Sequence, residues 1–234
     1  MLAPKTKVIR ELTKNHGLSN KVGTVLIVLG VICICVALCL TVGNLFTQQR
    51  ADESAQMALN SLKELIPKSP AAEPEQILSP EETAPTPQET VEIPDYVLNP
   101  AMDMPEAVID GVSYIGYLEI PALELQLPII SQTSYPGLKI APCRYQGSVY
   151  LNDLVIGAHN YARHFGNIGK LSYGDEVKFT DMDGNVFRYQ VVNIEILQPN
   201  QVDDLCSGEW PLTLYTCTLG GRTRVTVRCE MTGE

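Results

Sequence analysis

Hydrophobic and polar positions follow three successive patterns along the chain. An apolar run, VGTVLIVLGVICICVALCLTVG, covers residues 22–43 without a charged side chain. Apolar positions at helical spacing follow over residues 50–66. From residue 112 onward, short alternating runs are separated by turn residues. These patterns predict a membrane-length helix, a short amphipathic helix and an all-β domain, in that order.

The apolar run is long enough to cross about 30 Å of hydrocarbon as a helix. Several lysines and an arginine precede it with only one acidic residue among them, whereas Arg50 is the sole basic residue soon after it. This asymmetry predicts a single-pass protein of the cell membrane, with residues 1–21 in the cytosol and everything after residue 43 outside. A cleaved secretory signal is the alternative, but such a segment has a shorter apolar region and a small-residue cleavage site, and the sequence has no convincing one.

Proline and acidic residues dominate residues 68–111. This composition has too little apolar content to form a core. We therefore predict that residues 44–111 form an extracellular stalk, helical at first and then Pro/Glu-rich, with a reach on the order of 100 Å. A lid over a neighbouring site is the alternative for this segment. The folded domain is predicted at residues 112–234.

Eight strands are predicted in that domain. Their ranges are 113–120, 124–129, 148–150, 153–158, 175–180, 185–197, 211–217 and 222–230. Eight strands are enough to close a barrel around one core. A short helix or turn is expected at residues 165–171, and DMDG at residues 181–184 predicts a hairpin turn. The predicted fold class is an all-β, closed eight-stranded barrel with short helices.

The net charge of −10 comes from the part of the chain after the apolar run. An acidic exterior offers no basic surface to a phosphate backbone, which excludes nucleic acid as a partner. Three of the seven cysteines lie in the apolar run, where a thiol is a small apolar side chain. The four in the β domain are too few for a disulfide scaffold, although one pair among Cys143, Cys206 and Cys229 could form a bridge.

Residues capable of acyl-transfer chemistry occur at the ends of predicted strands. Cys217 ends the alternating run TLYTC, and His159 ends the apolar run LVIGA. On the next strand, RTRVTVR, period two places Arg222, Arg224 and Arg228 on one face. A thiol and an imidazole near their ordinary pKa values exchange a proton around neutrality, and a guanidinium is a permanently charged donor to an oxyanion. This combination predicts acyl transfer through a thioester.

Less specific interpretations exist for the same residues. Cys217 could be a buried cysteine that acts as a small hydrophobe. His164, in the polar loop YARHF, is interpreted as a solvated surface residue. We assign the base to His159 because it ends a strand in the same kind of position as Cys217.

The β domain resembles the sortases, the membrane-anchored cysteine transpeptidases of Gram-positive bacterial surfaces. The resemblance covers about residues 112–230 and rests on YIGYLEIPALELQLPI, on DLVIGAHNY around the histidine, and on TLYTC followed by RVTVR. TLYTC is the most specific of these. The sequence departs from the GH(N/T) form of many members in having an alanine directly before the histidine.

The resemblance implies a role for each site residue. Cys217 is the nucleophile, His159 is the general acid and base, and Arg224 anchors the oxyanion and the substrate. Thr216 and Arg222 are implied as further contacts to the peptide substrate. No cofactor and no metal ligand is assigned.

The implied reaction is cleavage of an LPxTG-like sorting signal of a secreted protein, between its fourth and fifth residues. An amine of a peptidoglycan precursor or of a pilin lysine then resolves the acyl-enzyme. Two other functions stay open: a cell-wall cysteine peptidase that passes the acyl group to water, and a non-catalytic tethered barrel that binds a wall component. The order of histidine before cysteine disfavours the peptidase, because papain-like wall peptidases have the reverse order.

Overall fold

The structure is a computed structural model that describes residues 5–67 and 93–232. Residues 68–92 of the predicted stalk and residues 1–4 of the predicted cytosolic segment lie outside the described residues. The chain divides into two compact units, Met1–Thr47 and Gln48–Glu234. Helix α1 (Lys5–Leu65) has residues in both units.

The apolar part of α1 has the properties expected of a membrane span. The stretch Gly23–Leu65 contains an 18-residue window with a mean hydropathy of 3.2, and no part of that window is buried. The helix is therefore long and apolar enough to cross a membrane. Its insertion and its orientation stay predictions.

The second unit is built on a sheet of nine strands within the described residues. The strands are β1 (Ala107–Ile109), β2 (Val112–Ile120), β3 (Leu125–Ile130), β4 (Cys143–Gln146), β5 (Leu154–Ala158), β6 (Glu176–Asp181), β7 (Val186–Leu197), β8 (Leu212–Cys217) and β9 (Arg224–Met231). Three short helices precede or join the strands: α2 (Asp95–Leu98) lies before β1, and α3 (Tyr135–Leu138) and α4 (Val202–Leu205) lie between strands.

Strand pairing closes the sheet into a barrel. The strand order is β1-β2-β3-β4-β5-β8-β9-β7-β6, and β2 pairs in addition with β6. Strands β2 to β9 therefore form a closed ring of eight, while β1 pairs only with β2 and extends the sheet beyond the ring. The predicted closed eight-stranded barrel is confirmed.

Alternate residues of the strands fill the barrel interior, as the period of two requires. Leu118, Ile129, Ile156, Phe179 and Val227 come from five different strands, and each is at most 1% exposed. Removing this apolar surface from water is the main stabilising contribution to such a domain. The barrel thereby holds its strand ends in fixed relative positions.

The last turns of α1 pack against the barrel. The predicted helix over residues 50–66 is present, and its buried face is Ala51, Ala55, Ala58, Leu59, Leu62 and Ile66. Lys63 reaches over the ring of Tyr117 on β2, with Nζ 5.3 Å from the ring centroid. The amide Nε2 of Gln56 donates to the carbonyl of Gln126 on β3. The folded domain therefore includes this end of the helix.

Part of the segment predicted as a stalk also contacts the barrel. The ring of Tyr96, in α2, stacks on that of Tyr150 with centroids 4.8 Å apart, and Met104 is 3% exposed. Residues 107–109 then form strand β1. Proline content alone indicated a tether here, but a few apolar side chains among the prolines are enough to dock residues 93–109 onto the domain.

One predicted strand is wrong. Residues 148–150 were predicted to form a strand, yet Val149–Leu151 is a 3-10 turn. The Ser148 hydroxyl accepts a hydrogen bond from the Tyr150 backbone N–H, which caps this turn. The strand that completes the ring is β4, which is only four residues long and carries polar outward side chains.

Two predicted turns are present. The chain reverses after β6 at DMDG, where the buried Asp181 carboxylate accepts from the backbone N–H groups of Asp183 and Asn185 and Gly184 adopts a φ of +84°. The region expected to be a short helix or turn at residues 165–171 contains the 3-10 turn Ile168–Lys170.

Candidate active site

Cys217 is the last residue of β8. Leu212 and Leu214 of this strand belong to the barrel core, so alternation places Tyr215 and Cys217 on the outer face. The Cys217 side chain is partly exposed. Cys217 is therefore not a buried core cysteine, which was the alternative interpretation of the sequence.

His159 reaches the same edge of the barrel through parallel strands. Strand β5 runs parallel to β8, with Ala158 aligned to Thr216, and His159 directly follows β5. The carboxyl ends of adjacent parallel strands meet at one edge of a sheet, so His159 and Cys217 lie at neighbouring strand ends.

Thr216 ties these two strands together. Its hydroxyl donates to the carbonyl oxygen of Ala158 over 2.9 Å, and the side chain is 2% exposed. The residues directly before His159 and Cys217 are therefore joined to each other. Contact of the Thr216 side chain with a peptide stays a prediction.

Arg224 is the partner of Cys217 on the other side. Strand β9 is antiparallel to β8, and Cys217 pairs directly with Arg224. Residues directly opposite each other in such a pair have Cβ atoms about 4.5–5.5 Å apart. One nitrogen of the guanidinium, Nη1, donates to the carbonyls of Gly221 and Thr223, each over 3.1 Å.

The prediction that the three arginines of RTRVTVR share one strand face holds for Arg224 and Arg228 and is wrong for Arg222. Strand β9 begins at Arg224, so Arg222 lies in the preceding loop, where it is exposed. Arg228 is on the strand but is 2% exposed. Only Arg224 combines a position opposite the thiol with access to solvent.

The environment of His159 favours the neutral imidazole. The ring lies beside those of Tyr161 and Tyr135, with centroid distances of 5.0 and 6.2 Å. Burial, and then the positive charge of Lys139, lower the pKa of His159 below its ordinary value. A neutral imidazole at pH 7 has a free lone pair and can accept a proton from a thiol.

His164 is buried, so the predicted solvated position is wrong. Its side chain is 0% exposed, because the turn after His159 returns the chain to the barrel and inserts Phe165 into the core. The Phe165 backbone N–H donates to the His159 carbonyl over 3.3 Å. Burial, with a smaller effect of His159, lowers the pKa of His164 to about 4. His164 is therefore a neutral packing residue of this loop.

The remaining cysteines of the barrel domain are free thiols. Cys143 and Cys229 are buried, and burial raises their pKa values to about 11 and about 12. Cys206 is partly exposed, and burial also raises its pKa. All seven cysteines lie within the described residues and none forms a disulfide, so the bridge left open by the sequence does not form. High thiol pKa values make Cys143 and Cys229 poor nucleophiles.

A cavity of about 140 Å³ opens beside Arg224. Its lining is Tyr145, Leu197, Gln198, Pro199, Gln201, Val202, Leu205, Tyr215 and Arg224. The ring of Tyr215 crosses β5 at Gly157, where an added Cβ would lie 2.5 Å from the tyrosine Cζ. Glycine at position 157 therefore leaves the space in which Tyr215 lies.

Comparison with known proteins gives the family. The fold and the strand-end residues define a β-barrel domain with a thiol and an imidazole at one edge. Residues 118–232 match the family model described as the Sortase domain. This match places residues 118–232 in the sortase family. No curated protein matches the chain.

Several solved structures are similar to it. Sortase C from Clostridium perfringens SM101 is 29% identical, with 60% of this chain and 76% of that chain covered and a TM-score of 0.46. Sortase C1 from Streptococcus suis is 28% identical, with 52% and 74% covered and a TM-score of 0.45. A Clostridium perfringens sortase D5 transpeptidase is 24% identical, with 51% and 79% covered and a TM-score of 0.46.

Proposed function

We propose that this sortase is a cysteine transpeptidase whose nucleophile is Cys217. The observation that carries the proposal is strand register. Cys217 lies between His159, at the end of the parallel neighbour β5, and Arg224, directly opposite on the antiparallel neighbour β9. Nucleophile, base and oxyanion donor are the three groups that acyl transfer by a thiol requires.

The first half-reaction forms a thioester. His159 accepts the proton of the Cys217 thiol, and the sulfur attacks the substrate carbonyl. The Arg224 guanidinium donates hydrogen bonds to the oxyanion that develops. When the tetrahedral intermediate collapses, the C–N bond breaks and the His159 imidazolium protonates the leaving amine.

The second half-reaction transfers the acyl group. An incoming amine attacks the thioester carbonyl and loses a proton to His159. Arg224 again stabilises the oxyanion. The C–S bond then breaks, and His159 returns the proton to the sulfur of Cys217, which restores the free site.

The match to the Sortase domain supports a proposal for the substrates. We propose that the acyl donor is an LPxTG-like sorting signal of a secreted protein and that the acceptor is an amine of a peptidoglycan precursor or of a pilin lysine. The cavity beside Arg224 supports binding of part of a peptide near this arginine, since it offers tyrosine rings and aliphatic side chains there. The apolar helix would anchor the enzyme in the cell membrane with the barrel outside, where both substrates occur.

Partition of the acyl group between amine and water tests this function. The full-length protein in detergent is incubated with a panel of LPxTG-like reporter peptides, with and without triglycine as the amine. We expect the peptide–triglycine conjugate to be the major product when the amine is present. Enzyme whose Cys217 is blocked by iodoacetamide is the control and should form neither product.

Two outcomes would contradict the proposal. Cleavage that gives only hydrolysed peptide at every triglycine concentration, and also with a lysine-bearing acceptor peptide, would identify a peptidase. Binding of peptides without thiol-dependent cleavage would identify a non-catalytic binding module.

A further inference from the structure

The segment between β7 and β8 forms one wall of the cavity beside Arg224. Val202 and Leu205, both in α4, face this cavity. Leu205 packs with Val155 and Leu197 in a small cluster outside the main core. A four-residue helix is far too short to be stable alone, so its shape depends on contacts with the barrel.

Arg228 supplies the polar part of those contacts. Its side chain is 2% exposed, and its guanidinium reaches the backbone at the end of α4. Nη2 donates to the carbonyl of Asp204 over 2.7 Å, and Nη1 donates to the carbonyl of Leu205 over 3.0 Å. These are carbonyls that the end of a short helix leaves without intrahelical partners.

The other donors of Arg228 connect the helix to two strands. Nε donates to the Glu195 carboxylate on β7 over 2.8 Å, and Nη1 also donates to the Thr213 hydroxyl on β8 over 3.0 Å. Arg228 itself is on β9. One planar guanidinium therefore joins three strands to the wall segment, a geometry that a lysine ammonium cannot reproduce.

We propose that Arg228 is a positioning residue that holds residues 202–206 in place and thereby determines how tightly the enzyme binds its acyl-donor peptide. This proposal rests on the proposed function. Arg224 and Arg228 lie four residues apart on one face of β9. The first would act on the reacting carbonyl, while the second shapes the wall that contacts the rest of the peptide.

Loss of this guanidinium would act on binding more than on chemistry. The pairing of Cys217 with Arg224 belongs to the backbone ladder between β8 and β9, which does not involve the Arg228 side chain. The carbonyls of Asp204 and Leu205, by contrast, would lose their donors. A detached wall weakens interactions made with the peptide in both ground state and transition state, which raises KM more than it lowers kcat.

Arg228→Lys in the full-length protein tests the proposal. We expect KM for the reporter peptide to rise roughly tenfold, kcat to change by less than about threefold, and the rate of Cys217 alkylation by iodoacetamide to stay within about twofold. Hydrogen exchange of the amides of residues 202–206 should become faster, while the amides of β5 and β8 keep their protection. Arg188→Lys is the matched control, because Arg188 also pairs with a glutamate but is exposed, and it should change none of these values.

A second variant covers the case in which Arg228→Lys does not fold. Glu195→Gln removes the charge that faces Nε and leaves the guanidinium in place. We therefore expect smaller changes of the same kind, with KM raised about threefold, kcat nearly unchanged and faster hydrogen exchange at residues 202–206. Unchanged hydrogen exchange at residues 202–206 in the variants that fold would overturn the proposal. A fall in kcat with unchanged KM would also overturn it.

The two readouts separate this inference from the proposed function. If the wild-type protein transfers no acyl group, the proposed function fails, and KM cannot be measured. Hydrogen exchange of residues 202–206 still decides whether Arg228 holds the wall. If acyl transfer occurs and the exchange does not respond to either variant, only the inference on Arg228 fails.

Discussion

Cys217→Ala is expected to abolish acyl transfer, with a loss on the order of 10⁴-fold or more in kcat/KM. The alanine side chain has no nucleophile, and among the described cysteines only Cys217 pairs with an arginine in the strand ladder, next to the strand that His159 follows. Because Cys217 is partly exposed at the end of a strand, the melting temperature should change by no more than about 2 °C. Reporter-peptide cleavage and a thermal unfolding curve, recorded on the same preparation, measure both effects.

Cys206→Ala is the matched control for this substitution. Cys206 is also a partly exposed free thiol, and burial raises its pKa. Because Cys206 belongs to the wall segment at residues 202–206, the comparison is made on kcat, which its loss should leave within about threefold of wild type. Activity that persists in Cys217→Ala and disappears in Cys206→Ala would move the nucleophile to the other thiol.

Arg224→Lys should lower kcat/KM by about 10²–10³-fold with little change in stability. Lysine keeps the positive charge, so a small loss of activity would mean that only the charge of Arg224 matters. We expect the larger loss because the guanidinium presents several fixed donors toward an oxyanion, whereas an ammonium is a single point charge on a flexible chain. Steady-state kinetics with the reporter peptide measure the loss.

Arg222→Lys is the comparison that assigns the role to one arginine. Arg222 lies in the exposed loop before β9, so we expect its replacement to cost less than about tenfold. A greater loss for Arg222→Lys than for Arg224→Lys would show that the loop residue, and not the residue opposite Cys217, stabilises the oxyanion.

Local patterns were sufficient to predict the strands that carry the site. Period-two alternation in NVFRYQVVNIEIL and TLYTC located β7 and β8 to within about a residue. The first half of β7 alternates between exposed and buried positions, whereas most of β8 is buried on both faces. Apolar strands that end abruptly at a histidine and at a cysteine then indicated residues at one edge of the barrel. The register of β5, β8 and β9 supports this interpretation.

Features that depend on distant packing were not predictable. His164 has the same polar neighbours as a surface residue, and only insertion of Phe165 into the core buries it. The sequence around Tyr96 has the composition of a tether, and its docking onto the barrel depends on the ring of Tyr150, which is distant in sequence. The role of Arg228 depends on carbonyls of α4, more than twenty residues away in sequence. The position of the Tyr215 ring over β5 could have been predicted from the sequence. Tyr215 is on the same strand face as Cys217, and Gly157 lies within a strand, where a glycine often marks the close approach of another group.

The central claim is that Cys217 carries the acyl group between the two substrates. The most direct measurement is peptide mapping by mass spectrometry of the full-length enzyme, quenched with acid after incubation with a reporter peptide and no amine. We predict an adduct with the mass of the acyl fragment on Cys217 alone, which disappears when triglycine is added before the quench. An adduct on another residue, or turnover in which Cys217 stays unmodified at every time point, would contradict the account.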